Sequence, residues 1–137
     1  MACDLRKDNI VEQTICIIED DEDIQDVLRI ILRKAGYETS IFSDGKSVLE
    51  NNHPLPDLYL VDKQLQGFDG LNICKYLKVR EETKQIPVIM MSAYPHIEEL
   101  ALNAGADGFI EKPFPMHALL KIIQTYLPRQ KAEQVMR

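Results

Sequence analysis

The sequence predicts a doubly wound α/β fold built on a parallel sheet. Short apolar runs such as Thr14-Ile15-Cys16-Ile17-Ile18 and Leu58-Tyr59-Leu60-Val61 lack polar alternation, as expected of strands buried on both faces. Between such runs, apolar residues recur at helical spacing. Gly and Pro punctuate connections that are short throughout, so that five strands alternate with five helices.

Thr14 to Ile18 forms the first strand and ends in Glu19-Asp20-Asp21. The next apolar stripe, Ile24, Val27, Leu28, Ile31 and Leu32, is one helix face, and Gly36 stops it. Asp21, Glu22 and Asp23 lie at that helix's start, where carboxylates cap it and suit its dipole. Glu38 to Phe42 makes a second strand, and Asp44-Gly45 turns into a helix through Val48 and Leu49. After the turn signal Pro54-Leu55-Pro56 comes the third strand, with Asp62 at its end. A loop over 63–70 leads to a helix that buries Leu71, Cys74 and Leu77. Pro87 to Met91 is the fourth strand, ending at Ser92. Pro95 fits the first turn of a helix with the face Ile97, Leu100, Ala101 and Ala104, ended by Gly105. Gly108 to Ile110 is the fifth strand, ending at Glu111-Lys112-Pro113. Met116, Leu119, Leu120, Ile123 and Leu127 mark the last helix, closed by Pro128. The expected organisation is a lead-in over 1–12, one domain over 13–127, and a polar tail or linker stub over 128–137. No further domain is visible after Pro128, which leaves open a stand-alone domain or one cut from a longer protein.

The 137 residues suffice for one domain with a real core. A net charge of -6 argues against direct nucleic-acid binding, since phosphate contacts need a basic surface. Three cysteines without metal-ligand spacing, no signal peptide and no long apolar run point to a reduced, soluble, cytoplasmic protein away from the membrane. Cys16 and Cys74 fall at apolar positions and read as core, while His53, His96 and His117 read as surface residues.

Chemistry concentrates at the strand ends. Glu19 and Asp20 follow strand one, Asp62 strand three, Ser92 strand four and Lys112 strand five. In the flavodoxin-like order 2-1-3-4-5, strands one and three flank the switch point, so the acids converge beyond the carboxyl ends of the sheet. Two carboxylates about 4 Å apart repel by roughly 4 kcal/mol at an effective dielectric near 20. Such a cluster needs a cation, and oxygen donors suit Mg²⁺. A carboxylate beside Mg²⁺ can attack phosphorus and form an aspartyl-phosphate. Lys112 and the Ser92 hydroxyl would then meet the charge on the phosphoryl oxygens.

From about Thr14 to Leu127 the chain resembles the receiver domain of two-component response regulators. The matching pieces are Ile17-Ile18-Glu19-Asp20-Asp21, Leu60-Val61-Asp62, Gly70, Met91-Ser92-Ala93, Ala104-Gly105-Ala106-Asp107-Gly108 and Lys112-Pro113-Phe114. The resemblance implies that Asp62 is the phosphoacceptor, with Mg²⁺ (or Mn²⁺) held by Asp20, Asp62 and the Gln64 backbone carbonyl, and Glu19 in an outer shell. It further implies that Ser92 and Lys112 contact the phosphoryl group, that Lys112-Pro113 is cis, and that Ser92 and Phe109 form the switch. Gln64 and Tyr94 sit where family members tune dephosphorylation. The implied partners are a histidine kinase or phosphotransfer domain, docking over the first helix, and a downstream protein partner or effector domain. Dimerisation through the fourth and fifth helices is left open.

The chain departs from the family after the acceptor, where the common Met-Pro is replaced by Leu65-Gln66, with Gly67 following. The expectation is a phosphorylation-dependent signalling switch, not an enzyme, that alters the surface of its fourth and fifth βα units. A non-phosphorylated docking module of the same fold is the alternative. An aspartate-nucleophile phosphohydrolase would want a second acid two residues on, and Asp62-Lys63-Gln64 lacks it. A flavin binder would want a phosphate loop after strand one, where Glu19-Asp20-Asp21 repels phosphate.

Overall fold

A computed structural model describes residues 12–128. In chain order the elements are β1 (Thr14–Ile18), α1 (Glu22–Lys34), β2 (Glu38–Phe42), α2 (Lys46–Leu49), β3 (Leu58–Asp62), β4 (Gln64–Leu65), β5 (Phe68–Asp69), α3 (Gly70–Val79), β6 (Val88–Ser92), α4 (Ile97–Asn103), β7 (Gly108–Glu111) and α5 (Met116–Tyr126). Five strands form one parallel sheet in the order β2-β1-β3-β6-β7, and β4 pairs antiparallel with β5 outside it. The main sheet is therefore the flavodoxin-like order expected from the sequence. Apart from Glu12 and Pro128, the expected lead-in and tail lie outside the described residues, as does Cys3.

The unbroken apolar strands are explained by burial on both faces. Cys16, Ile18, Tyr59, Val61, Val88 and Met90 point to one side, where Val48 of α2, Ile73, Cys74 and Leu77 of α3, and Ala101 of α4 cover them. Ile15, Ile17, Leu58, Leu60, Ile89 and Met91 point to the other, beneath Leu28 and Leu32 of α1 and Leu119 and Ile123 of α5. Alternation along each strand thus feeds two cores. Cys16 and Cys74 are buried in the first of them, and burial pushes their thiols up to about 12 and about 11. They are inert packing groups at neutral pH.

Caps set the helix boundaries. The Asp21 carboxylate accepts from the N–H groups of Asp23 and Ile24 at 2.9 and 3.2 Å, and Glu22 and Asp23 fill the first turn of α1. At its far end the Gly36 N–H donates to the Arg33 carbonyl at 2.9 Å. Asp69 caps α3 through the Leu71 N–H at 2.9 Å.

Several expectations need correcting. Val27, Leu100 and Met116 lie on the exposed sides of their helices, and Leu71 is only half-buried while Ile73 takes the core position. A periodic stripe marks a helix face broader than the sheet can cover, so its edge residues stay outside. Pro95 lies in the turn before α4, where its carbonyl accepts from the Glu98 N–H at 3.2 Å, rather than within the helix. His53 is not a surface residue: half-buried, it lies 2.6 Å from the Tyr59 hydroxyl and meets Phe42 and Tyr59 edge-on. Burial lowers its pKa, which keeps the imidazole neutral around Tyr59. Finally, the segment 63–70 is not a plain loop, since it carries the β4–β5 hairpin.

Candidate functional site

The ends of β1, β3 and β7 bring the predicted polar residues together. Glu19 is tied to the neighbouring strand by its own N–H, which donates to the Phe42 carbonyl at 3.0 Å. Gln25 of α1 fixes the same residue from the other side, its amide donating to the Glu19 carbonyl at 2.5 Å and to Ser43 Oγ at 3.3 Å. Asp62 ends β3 beside Met91 of β6, and the following Lys63 N–H donates to the Met91 carbonyl at 2.8 Å. Parallel register therefore determines where each acid points. One carboxylate oxygen from each of Glu19, Asp20 and Asp62 lies within 4.8 Å of the others.

Lys112 closes the group from the end of β7. Its Nζ donates to Glu19 Oε1 at 2.6 Å and lies 3.1 Å from Asp62 Oδ1. The Lys112 N–H donates to the Ser92 carbonyl at 2.8 Å, and the Lys112–Pro113 peptide is cis. Ser92 is buried at the end of β6, where its Oγ accepts from the Tyr94 N–H at 3.1 Å. Tyr94 itself is exposed and stacks obliquely on His96. Phe109 is half-buried in β7, beside Met90, against the core under α3 and α4. Gln64 is exposed at the start of the hairpin, with its backbone N–H hydrogen-bonded to the Asp62 carboxylate.

Burial dominates the electrostatics. It raises the pKa of Glu19, with the nearby Asp62 charge adding to the rise and Lys112 opposing it. It also raises Asp62, where Lys112 and the Gln64 N–H pull down and Asp20 pushes up. For Lys112, burial favours the neutral amine, but Glu19 and Asp62 outweigh it and hold the ammonium above its ordinary range. One lysine thus faces three clustered acids. An all-oxygen donor set with surplus negative charge suits a small hard divalent cation, Mg²⁺ or Mn²⁺. The residues present fit that ion.

Several contributors to the site escaped the sequence reading, and Gly70, singled out there only as a matching piece, gains a structural role. Gln25 lies on the same stripe as Leu28 and Leu32, so a polar residue in an apolar face was the available signal. Lys63 and Asp69 pair at 3.4 Å across the base of the hairpin, and Gly70 packs directly on the Asp62 backbone. Gln66, at the hairpin's tip, gives its N–H to Asp20 Oδ2 at 3.1 Å.

This geometry defines a cluster of three acids with one lysine beyond the carboxyl ends of a doubly wound sheet, and comparison with known proteins places the fold in a family. The family model for the response regulator receiver domain matches residues 15–124. The chain belongs to that family, the receiver domains of response regulators in two-component systems. It is 31% identical over 126 residues to the DNA-binding response regulator MtrA of Mycolicibacterium smegmatis, covering 90% of this chain and 54% of that one. The chain thus spans about half the length of the curated relatives it matches. Among solved structures, a response regulator from Chloroflexus aurantiacus superimposes with a TM-score of 0.81 at 30% identity, covering 87% of this chain and 100% of the other. The receiver domain of a sensor histidine kinase from Pseudomonas aeruginosa, with a magnesium ion coordinated in its active-site cleft, gives 0.77 at 27% identity, covering 85% and 98%. No helix of the described residues is long and apolar enough to cross a membrane.

Proposed function

We propose that this receiver accepts a phosphoryl group on Asp62 from a histidine kinase or phosphotransfer domain and works as a signalling switch. The observation that carries the reading is the convergence of Glu19, Asp20 and Asp62 within 4.8 Å, with Lys112 Nζ 3.1 Å from Asp62. An Asp62 oxygen attacks phosphorus while the P–N bond of the phosphohistidine donor breaks, and its electron pair leaves on the imidazole nitrogen. Asp20, Asp62 and the Gln64 carbonyl would hold Mg²⁺ or Mn²⁺, with Glu19 in an outer shell, and such an ion would supply positive charge for the phosphoryl oxygens. Lys112, which neutralises Glu19 and Asp62 beforehand, turns to a phosphoryl oxygen as charge builds there. The Ser92 hydroxyl takes another.

Ser92 and Phe109 then carry the switch. A Ser92 hydroxyl drawn to the phosphoryl group gives up its bond to the Tyr94 N–H, and Phe109, packed at the edge of the core, follows. The two states differ at β6–α4 and β7–α5, where a downstream protein partner or effector domain reads them. The donor docks over α1. Ile24, Val27, Leu28, Ala93, Pro113 and Phe114 line a groove beside the site, and Val27 and Ile30 are 52% and 57% exposed. The working domain spans 13–127.

Intact mass after incubation with Mg²⁺ and acetyl phosphate tests the proposal. The expected result is gain of one phosphoryl group, absent without Mg²⁺ and absent in Asp62→Asn. No gain, together with failure to bind beryllofluoride, would favour the docking module. Tyr94 follows Ser92 by two residues and its ring is exposed, so in this reading it would hinder the water that attacks the phosphate. Tyr94→Ala is expected to shorten the phosphate lifetime several-fold, read by mass against time after donor removal, and an unchanged lifetime refutes that role.

A further inference from the structure

The departure from the family at Leu65-Gln66 gains a meaning once the hairpin is seen. Where family members commonly carry proline, which has no N–H, this chain has Gln66, whose backbone N–H reaches Asp20 Oδ2 at 3.1 Å. The hairpin makes that donor free. Leu65 pairs with Phe68, so Gln66 and Gly67 are the two turn residues. Gly67 has a φ of 75° and Gln66 a negative one, the sign pattern of a type II turn. In a two-residue turn the N–H of the first turn residue takes no part in the ladder, so it can serve another acceptor. The base of the hairpin is fixed independently, by the Lys63–Asp69 pair at 3.4 Å and by the Gly70 N–H, which donates to the Lys63 carbonyl at 2.8 Å.

We infer that the Gln66 amide is a positioning group for Asp20. It holds the Asp20 carboxylate through Oδ2 while one Asp20 oxygen lies within 4.8 Å of an oxygen of each of Glu19 and Asp62, and so orients the acid for the metal. The inference rests on the proposed assignment of Asp20 as a metal ligand. A hydrogen bond from N–H to an ionised carboxylate is among the stronger kinds. It also offsets part of the repulsion that three clustered carboxylates impose before any cation arrives. Partners that orient a ligating carboxylate typically change metal affinity about 10- to 100-fold when lost. The side chain of Gln66 is exposed and takes no part.

Two variants separate backbone from side chain. Gln66→Pro removes the N–H together with the glutamine side chain but keeps the turn, since proline suits the first central position of a type II turn and Leu65 before it is already extended. Gln66→Ala keeps the N–H. Mg²⁺ binding, measured by calorimetric titration of the full chain, is expected to weaken about tenfold in Gln66→Pro and to match the wild type in Gln66→Ala. Equal or tighter binding by Gln66→Pro overturns the inference. Equal weakening in both variants overturns it too, because the side chain would then be responsible. A wild-type chain that binds no Mg²⁺ at all refutes instead the metal assignment on which it rests. Hydrogen exchange on the unaltered protein provides a check independent of folding of the proline variant. The Gln66 amide should stay protected when Mg²⁺ saturates the site, and loss of protection on adding Mg²⁺ would show that the amide competes with the ion.

Discussion

Lys112→Ala is expected to cost roughly 3 kcal/mol of folding stability near pH 7.5 in Mg²⁺-free buffer, since removing one partner of a buried ion pair strands the other. Here the change strands two acids. The Glu19 and Asp62 side chains are 1% and 7% exposed, and Lys112 is the cation that touches both. Burial has already raised both carboxyls, and Lys112 is what opposes it. Without the lysine their pKa values climb further. A carboxyl raised in the folded state keeps a proton that the unfolded chain has released, so the native state gains stability as pH falls through the folded value. The cost of the substitution should therefore shrink between pH 7.5 and 5.5. Added Mg²⁺ should also recover part of it at pH 7.5, by supplying a cation that binds only the folded site. Urea denaturation of both proteins at the two pH values measures this. The titration of His53 is common to both and cancels in the difference. An equal loss at both pH values would mean that Lys112 contributes packing by its stem and not charge.

The parts of this molecule that the sequence disclosed share a physical cause. Strands such as Leu58–Asp62 are buried on both faces, so their composition needs no alternation and stands out from the flanking turns. Strand order then follows from short connections and handedness, and it carries Glu19, Asp62 and Lys112 to one end of the sheet without any further information. What stayed hidden depends on backbone atoms or on context. The hairpin over 64–69 has only two residues per strand, too few for a periodic pattern. The bond from Gln66 to Asp20 uses a main-chain N–H, which every residue but proline has, so the side chain gives no sign of it. His53 looked like an exposed loop residue because its partner, the Tyr59 hydroxyl, belongs to a strand whose remaining atoms are core. Val27 and Leu100 erred in the opposite direction, for apolar periodicity identifies a helix but not how much of its face the sheet covers.

Gly70→Ala is expected to be as damaging as the loss of Lys112, for a reason that involves no charge. A Cβ at this position would lie 2.1 Å from the Asp62 carbonyl oxygen and 2.8 Å from Lys63 Cα. Both are backbone atoms, so no side-chain rotation relieves the contact. Gly70 cannot simply retreat, because its N–H donates to the Lys63 carbonyl at 2.8 Å and Asp69 caps the helix that begins here. Either α3 moves off β3 or the end of β3 moves with Asp62. Overpacking of this kind costs about 3 kcal/mol or somewhat more. The ordinary helix preference for alanine over glycine, about 1 kcal/mol, acts the other way and is too small to compensate. The two routes of relief are distinguishable. If α3 moves, stability drops while phosphoryl gain from acetyl phosphate persists below the melting transition. If β3 moves, both fall, since Asp62 leaves the 3.1 Å contact with Lys112. The hydrogen bond from the Lys63 N–H to the Met91 carbonyl anchors the end of β3 to the neighbouring strand β6 at 2.8 Å. That anchor makes displacement of α3 the expected outcome, and thermal unfolding beside intact mass reads both. A variant as stable as the wild type would mean that β3 and α3 separate freely at this junction, contrary to the close backbone approach on which the position of Asp62 depends.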